Sequence, residues 1–251
     1  MKTVSLVNRP EDLVALVDRF SSQWPSLSDK PEENPESGIR ALWLAAAGRN
    51  CSVEAAAENE LPPLSAEEKT QLEKLLERRL SGVPLAHLVG WQRFMGLELK
   101  AGPQALIPRK ETEILGNAAL ECLREVKSRN ERAKVIDMCT GSGNLAITLA
   151  VNEPSCQVFA ADLCADAIAL AKENAKFHNL QTRVDFQIGD LFAPFEGKLD
   201  GEIDMIVCNP PYLSTSKARQ LPREIGAFEP REAFDAGSFG VGIINRLINE
   251  A

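Results

Sequence analysis

The 251-residue sequence predicts an α/β protein, with a parallel sheet covered by helices on both faces and a small helical domain before it. Two observations support this prediction. From residue 133 onward, short apolar runs alternate with segments of helical periodicity, which is typical of parallel strands joined by helices. Before residue 85, in contrast, the start and stop signals are those of helices alone.

The first third of the chain, residues 1–84, is predicted to be the helical domain. Its third helix has the clearest signal, because Ser65-Ala-Glu-Glu is a capping-box sequence and Gly82 and Pro84 follow the helical run. The other expected segments are a helix from Pro10 to Phe20, an exposed loop over 26–38 and a helix over Ile39–Ala47.

The rest of the chain is predicted to be a linker followed by the sheet domain. Residues 85–108 form the linker, with a β-hairpin turning at Gly96, and residues 109–251 form the sheet domain. The four expected strands are Val135–Cys139, Val158–Asp162, Val184–Ile188 and Ile203–Cys208, and the expected helices are Glu111–Val126, Leu145–Val151 and Ala165–Phe177.

Composition and charge exclude several classes of protein. The net charge is −8, divided equally between residues 1–85 and the remainder, which disfavours tight binding to a nucleic-acid backbone. The sequence contains no apolar run of about 18 residues, so no transmembrane helix is expected. Residues Met1–Asn8 contain no apolar signal-peptide core, so a cytoplasmic location is expected. The six cysteines form no C-x-x-C pair and the two histidines lie far apart, so we expect reduced thiols and no metal site.

A glycine-rich turn follows the first strand of the sheet domain, with the sequence Asp137-Met-Cys-Thr-Gly-Ser-Gly143. Ligands of open parallel sheets bind beyond the carboxyl ends of the strands, and glycines there let the backbone approach a ligand closely. The turn is not a P-loop, because no Gly-Lys-Ser/Thr follows, and it lacks the full spacing of dinucleotide-binding turns. Plain turn geometry remains the alternative.

Acidic residues follow the second and third strands. Asp162 stands where a carboxylate can accept hydrogen bonds from both hydroxyls of a ribose; the alternative is a cap for the helix that follows. Gly189-Asp190-Leu191 ends the third strand, where the Asp190 carboxylate or the adjacent backbone could meet an adenine amine. The alternative here is a simple strand-end turn.

The fourth strand ends in Asn209-Pro210-Pro211-Tyr212, which predicts a site for a planar amino or amide group. Two prolines remove two backbone donors, so the carbonyl groups of the turn remain as acceptors. Asn209 adds a side-chain carbonyl, and Tyr212 supplies an aromatic face for a planar group. A rigid surface turn is the alternative, but the turn falls at the same edge of the sheet as the other candidate segments.

The order of these motifs resembles that of class I S-adenosylmethionine-dependent methyltransferases that methylate amino groups. Three further segments resemble the HemK-type protein-(glutamine-N5) methyltransferases in particular. These segments are Ser81–Gly90 with Phe94, Leu106–Glu113 and Phe228–Asp235. The resemblance extends from about residue 40 to the end of the chain. It implies a Rossmann-like sheet and methylation of the Gly-Gly-Gln glutamine of peptide chain release factors, with a ribosomal protein as substrate in a sister group.

The resemblance also implies roles for individual residues. S-adenosylmethionine would be bound by Cys139, Thr140, Gly141, Ser142 and Gly143 at its methionine part, by Asp162 at its ribose, and by Asp190 and Leu191 near adenine, with Asn209 beside the reacting group. The glutamine would be held by Asn209, Pro210, Pro211 and Tyr212, of which Asn209, Pro210 and Tyr212 are the candidate catalytic residues. Arg109, Thr112 and Glu113 would brace the rim of the pocket.

Two departures from the family pattern qualify these expectations. Cys139 stands where a glycine is more usual, and this would narrow the pocket. The family also continues with strands that complete a seven-stranded sheet, whereas four strands are predicted here before Ala251, so the sheet is expected to be incomplete. Two other functions stay open. A nucleic-acid methyltransferase acting on the amine of adenine would use the same four-residue turn, and the missing strands suggest a cofactor-binding remnant without activity.

Overall fold

A computed structural model of the protein describes residues 11–25, 30–128, 130 and 132–251. The segment Met1–Asn8, which bears on the signal-peptide prediction, and residues 26–29 of the predicted loop lie outside the described residues. The chain divides into two compact units, Met1–Arg93 and Phe94–Ala251. This division lies inside the segment 85–108 that the sequence analysis assigned to a linker.

The first unit is built from helices, as the sequence predicts. The clearest start signal is confirmed, because the Oγ of Ser65 accepts a hydrogen bond from the Glu68 amide at 3.2 Å and the Glu68 carboxylate accepts one from the Ser65 amide at 2.7 Å. The helices are α1 (Glu11–Phe20), α2 (Pro35–Ala46), α3 (Val53–Glu58), α4 (Ala66–Leu80) and α5 (Leu85–Val89).

The prediction of a loop as far as residue 38 was wrong, because α2 begins at Pro35. Asn34 is its N-cap, and the side-chain oxygen of Asn34 accepts a hydrogen bond from the Ser37 amide at 3.1 Å. Proline is favoured at the first helical position, since its missing N–H would have no partner in the first turn. Helices α3 and α5 were not predicted from the sequence. Both are short, and prolines or polar residues flank them.

A buried ion pair lies in the core of the first unit. The Nη2 of Arg79 lies 3.3 Å from a carboxylate oxygen of Glu33, and both side chains are almost fully buried. The Arg79 guanidinium also lies 5.7 Å from the ring centre of Trp24, whose indole N–H donates to the Glu33 carbonyl at 2.9 Å. One cation is therefore held by a carboxylate and an aromatic face.

The predicted β-hairpin is present as β1 (Trp91–Phe94) and β2 (Leu97–Lys100), and the division between the two units falls within β1. Met95 and Gly96 form the turn, with φ angles of 46° and 81°. Two consecutive positive φ angles are typical of the tight turns whose twist matches that of antiparallel strands.

The second unit contains a four-stranded parallel sheet, which confirms the predicted α/β class and the four strands. Its strand order is β5-β4-β3-β6. The strands are β3 (Lys134–Met138), β4 (Gln157–Asp162), β5 (Val184–Ile188) and β6 (Met205–Cys208). The helices are α6 (Lys110–Lys127), α7 (Asn144–Asn152), α8 (Ala165–Phe177), α9 (Thr215–Ala218), α10 (Arg223–Gly226) and α11 (Gly242–Glu250), with a 3-10 turn at Arg231–Ala233.

Helices cover both faces of the sheet. Successive residues of a strand point to opposite faces, so each strand contributes side chains to both layers. On one face, alternate strand residues such as Val135 and Val158 pack with buried side chains of α6, α7 and α8. On the other face, Ile136 and Phe159 pack with Phe195, and with Ile243 and Leu247 of α11. None of the helices in the described part of the chain has the length and apolar character needed to cross a membrane.

Candidate functional site

A cavity of about 530 Å³ lies at the carboxyl ends of the four parallel strands, entirely within the second unit. Its volume is within the usual range for sites that bind small molecules and cofactors. One part of its wall comes from the segments that end the strands, including residues 209–211. Most of the rest comes from segments around residues 104–112 and 230–243. The position is the one expected for a ligand of an open parallel sheet.

The glycine-rich turn forms one side of the cavity. Cys139, Thr140, Gly141 and Ser142, four of the expected cofactor-binding residues, line it. The amide of Thr140 donates to the Ala161 carbonyl at 3.0 Å, so the turn is fastened to the end of the neighbouring strand. Cys139 has a φ of 57°, a left-handed conformation that costs a side chain more than it costs glycine.

Gly143 has a different role from the other residues of the turn, since it does not line the cavity. It has a φ of 80° and directly precedes α7. A Cβ atom on Gly143 would lie 3.1 Å from the Cβ of Ala171 and from the Cδ1 of Ile147. Glycine at this position therefore allows α7 and α8 to approach each other beneath the turn.

Asp137 holds the glycine-rich turn from below. It is 1% exposed, and its Oδ2 accepts hydrogen bonds from the Thr140 hydroxyl at 2.6 Å and from the Ala146 amide at 3.0 Å. Its Oδ1 has no partner among the described residues. Burial raises the pKa of the Asp137 carboxyl to about 7, although both hydrogen bonds oppose that rise. This residue was not among the predicted site residues, although it begins the motif.

Asp162, the predicted ribose ligand, lies at the end of β4 and lines the cavity. Its Oδ2 accepts a hydrogen bond from the Gly141 amide at 2.8 Å, and its Oδ1 accepts one from the Cys164 amide at 2.9 Å. A carboxylate has about four acceptor positions, so acceptor capacity remains for a ligand. Burial raises the pKa of the Asp162 carboxyl, and the hydrogen bonds from backbone amides oppose this rise.

Asp190 and Leu191 line the cavity next to the end of β5. Leu191 is buried and adopts a φ of 46°. Asp190 is half exposed, and its carboxylate forms an ion pair with Arg246 of α11 at 3.0 Å. Helix α11 also contributes Ile243 to the wall. The ion pair therefore fastens α11 beside this end of the cavity.

The turn after β6 contributes two of its four residues to the cavity wall, Asn209 and Pro211. The Nδ2 of Asn209 lies 3.4 Å from the Oγ1 of Thr112, to which it donates a hydrogen bond. Pro210 and Tyr212 are not among the lining residues, and Tyr212 is 63% exposed. The aromatic ring thus lies outside the wall, while the Asn209 amide is held in it.

The remaining rim residues also lie near their predicted places. Arg109 and Thr112 line the cavity, whereas Glu113 accepts a hydrogen bond from the Met95 amide of the hairpin turn at 2.8 Å. The Arg109 guanidinium forms an ion pair with the buried Glu229, which also accepts from the Ile107 amide at 2.9 Å. Glu229 lies in the segment Phe228–Asp235, which resembles the family, but no local sequence pattern pairs Glu229 with Arg109.

Another part of the wall was missed by the sequence analysis. Gln104, Ala105 and Leu106 line the cavity, and the Cβ of Ala105 lies 4.0 Å from the place that a Cβ on Gly141 would occupy. These residues lie in an irregular segment, where neither periodicity nor a charged side chain gives a signal.

Two protein-family models match the chain. The Methyltransferase small domain matches residues 115–225, and the PrmC N-terminal domain matches residues 26–90. The first model thus covers the sheet of the second unit, and the second model covers most of the helical first unit.

Curated relatives match most of the chain. A release factor glutamine methyltransferase of Thermodesulfovibrio yellowstonii is 36% identical over 192 residues, covering 76% of this chain and 67% of the relative. One of Geobacter sulfurreducens is 34% identical over 225 residues, covering 90% of this chain and 75% of the relative. One of Koribacter versatilis is 37% identical over 185 residues, covering 73% and 63%, so the match spans just under two thirds of that relative's length.

Proposed function

The chain belongs to the family of release factor glutamine methyltransferases, and we propose that it transfers the methyl group of S-adenosylmethionine to the side-chain amide nitrogen of a protein glutamine. The observation that carries this proposal is the hydrogen bond from Asn209 to Thr112. It orients an amide in the wall of the same cavity that contains the glycine-rich turn and Asp162.

The groups around the cavity fit S-adenosylmethionine. Asp162 keeps acceptor capacity for the ribose hydroxyls, and Asp190 and Leu191 lie at the neighbouring strand end for adenine. Cys139 to Ser142 would hold the methionine part. When bound, the cofactor supplies an electrophilic methyl group on a sulfonium ion. The reaction then requires that the protein present a nitrogen to this methyl group.

Asn209 would present the nitrogen. An amide nitrogen is a poor nucleophile, because its lone pair is delocalised into the carbonyl group. Since Thr112 takes up the Nδ2 of Asn209, the Oδ1 of Asn209 remains an acceptor for one hydrogen of the substrate amide. The carbonyl of Pro210 would accept the other hydrogen. Pro210 and Pro211 both lack an N–H, so neither adds a backbone donor to this turn.

Positioning would supply most of the rate enhancement. Holding two reacting groups in line can lower a barrier by roughly 7–11 kcal/mol relative to reaction in solution. Tyr212 and Pro211 would then hold the flat face of the amide, and Arg109 and Thr112 would keep the rim rigid through Glu229 and Asn209. The exposed ring of Tyr212 would stack on the substrate when it enters.

The proposed substrate is a peptide chain release factor, methylated in the cytoplasm at the glutamine of its Gly-Gly-Gln motif. The names of the curated relatives and the match to the PrmC N-terminal domain support this choice. The net charge of −8 supports a protein substrate over a nucleic acid, because a duplex backbone would repel the chain.

Methyl transfer to a purified release factor tests the proposal. We expect one methyl group per molecule, located by mass spectrometry on the Gly-Gly-Gln glutamine, and none on a release factor with alanine at that position. Asn209→Ala should bind S-adenosylhomocysteine with the affinity of the original chain and lose most of its turnover. Turnover close to that of the original chain would contradict the role given to Asn209.

The same assay addresses the two other functions. Transfer to adenine in DNA or RNA, without transfer to the release factor, would favour a nucleic-acid methyltransferase. Tight binding of S-adenosylhomocysteine without transfer to any of these substrates would favour a cofactor-binding protein without activity.

A further inference from the structure

The side chain of Asn174, on α8, is fully buried and makes three hydrogen bonds to backbone groups. Its Oδ1 accepts from the Lys100 amide at 2.6 Å. Its Nδ2 donates to the Lys100 carbonyl at 3.1 Å and to the Ser142 carbonyl at 3.0 Å. One amide thereby joins the end of β2 to the glycine-rich turn.

The hydrogen bond to Ser142 fixes a peptide plane in the wall of the cavity. The carbonyl of the Ser142–Gly143 peptide accepts from Asn174, and the N–H of the same peptide donates to the Thr140 carbonyl at 2.9 Å. Both polar groups of this peptide are therefore held, and the plane cannot rotate without losing a hydrogen bond. Two residues before Gly143, the amide of Gly141 donates to Asp162.

The hydrogen bonds to Lys100 act on the other side of the same wall. β2 ends at Lys100, and the lining segment that begins at Gln104 follows it along the chain. Within that segment, Ala105 lies against Gly141 of the glycine-rich turn. Asn174 thus holds both of the backbone segments that meet at this part of the cavity.

Packing alone does not account for an asparagine at this position. On α8, Ala171 and Ala175 are also buried and both are apolar. A buried amide stabilises a fold only when its donors and acceptor are satisfied, because desolvation of an unpaired polar group costs about 1–3 kcal/mol. Here one partner, Ser142, lines the cavity, and the other, Lys100, precedes the lining segment that begins at Gln104.

We propose that Asn174 is a positioning residue for cofactor binding, which holds the Ser142–Gly143 peptide and the Lys100 backbone in the geometry that receives the methionine part of S-adenosylmethionine. This inference rests on the proposed use of the cavity. Asn174 does not line the cavity and acts through the backbone that it holds.

Two variants with a core control test this inference. Asn174→Ala removes all three hydrogen bonds, and Asn174→Asp keeps an acceptor for Lys100 but removes both donors. Leu123→Ala in α6 removes a fully buried side chain from the same core without touching the cavity wall. For each chain, the Kd for S-adenosylhomocysteine is measured by calorimetry and compared with the melting temperature.

We expect a Kd at least tenfold higher for both Asn174 variants, and a Kd within twofold of the original for Leu123→Ala at a similar or lower melting temperature. In the methylation assay, the KM for S-adenosylmethionine should rise more than kcat falls. An unchanged Kd in the Asn174 variants, or an equal rise in all three, would overturn the inference. If the original chain itself fails to bind S-adenosylhomocysteine, the proposed function fails instead.

Hydrogen exchange in the original chain gives a second test that does not depend on the folding of a variant. The Lys100 amide donates to Asn174 and should exchange slowly, at a rate close to that of the core strand amides. Exchange of this amide at the rate of an exposed loop would overturn the inference.

Discussion

The side-chain amide of Asn209 donates to the hydroxyl oxygen of Thr112, 3.4 Å away, so a residue of α6 sets the orientation of the turn that follows β6. A threonine hydroxyl can both donate and accept, and here its oxygen accepts from the Asn209 nitrogen, which lies on the Thr112 side. The available acceptor of Asn209 is then the group that meets a substrate amide.

Thr112→Val tests this relationship. Valine has the shape of threonine without the acceptor, so we expect kcat for methyl transfer to fall about three- to tenfold, in line with a neutral hydrogen bond of about 0.5–1.5 kcal/mol. The Kd for S-adenosylhomocysteine should stay the same. Thr112→Ser retains the hydroxyl and serves as the control, and equal kcat losses in both variants would contradict the explanation.

Asp137 should make the stability of the second unit depend on pH. Its folded pKa is about 7, above the ordinary value of 3.8, so between these values the folded chain holds a proton that the unfolded chain releases. Its contribution to stability is therefore full below about pH 4, is lost as pH rises toward 7, and stays lost above that. The whole change is on the order of 4 kcal/mol.

Asp137→Asn removes this titration. We expect the melting temperature of the variant to vary less between pH 5 and 7.5 than that of the original chain. Asp185→Asn, at an exposed position of β5 in the same sheet, is the control and should leave the pH dependence unchanged. An equal pH dependence in Asp137→Asn and the original chain would show that the Asp137 carboxyl does not titrate in this window.

Gly143→Ala should lower stability through two separable effects. The left-handed φ of 80° costs an alanine about 1 kcal/mol, and the contacts at 3.1 Å with Ala171 and Ile147 add an overpacking cost of about 1–3 kcal/mol. Gly197 has a φ of 69° but no neighbour within 4 Å, so Gly197→Ala isolates the first effect. Chemical denaturation of both variants should show the larger loss for Gly143→Ala.

Replacement of Glu33 by glutamine should destabilise the first unit strongly. It leaves the buried Arg79 without its carboxylate, and breaking a buried pair in this way costs about 3–5 kcal/mol. The exposed pair between Lys69 and Asp12 is the comparison, since Lys69→Ala should cost less than about 1 kcal/mol. Similar losses of free energy of unfolding in the two variants would contradict the importance of burial.

Elements with local signals were predictable from the sequence. The bounds of α8 and β5 match the predicted ones, because in each case an apolar pattern is flanked by residues that end it. The start of α2 was misplaced because the acidic, proline-rich composition around residues 30–36 was interpreted as a loop, although Asn34 followed by Pro35 is a helix start.

Local sequence patterns predicted the candidate site where its residues follow a strand directly. Asp162 and Asn209 are of this kind, and both line the cavity, whereas Arg109 and Thr112 were expected there only through the family resemblance. Asn174 and Glu229 were not predicted, because their partners are distant in sequence. Lys100 lies 74 residues from Asn174, and Arg109 lies 120 residues from Glu229. A helix pattern shows that a residue is buried, but it does not show which backbone group it will meet.

The contact between Glu229 and the segment Ile107–Arg109 has a consequence for how the chain folds during synthesis. Strands β3, β4 and β5 pair with neighbours that are close in sequence, so they can assemble as they leave the ribosome. The segment Ile107–Arg109 must wait until Glu229 has emerged, because its carboxylate partner is made 120 residues later. A nascent chain shorter than this would have a sheet but an unfinished binding cleft, and so the ability to retain a ligand would arise late in translation.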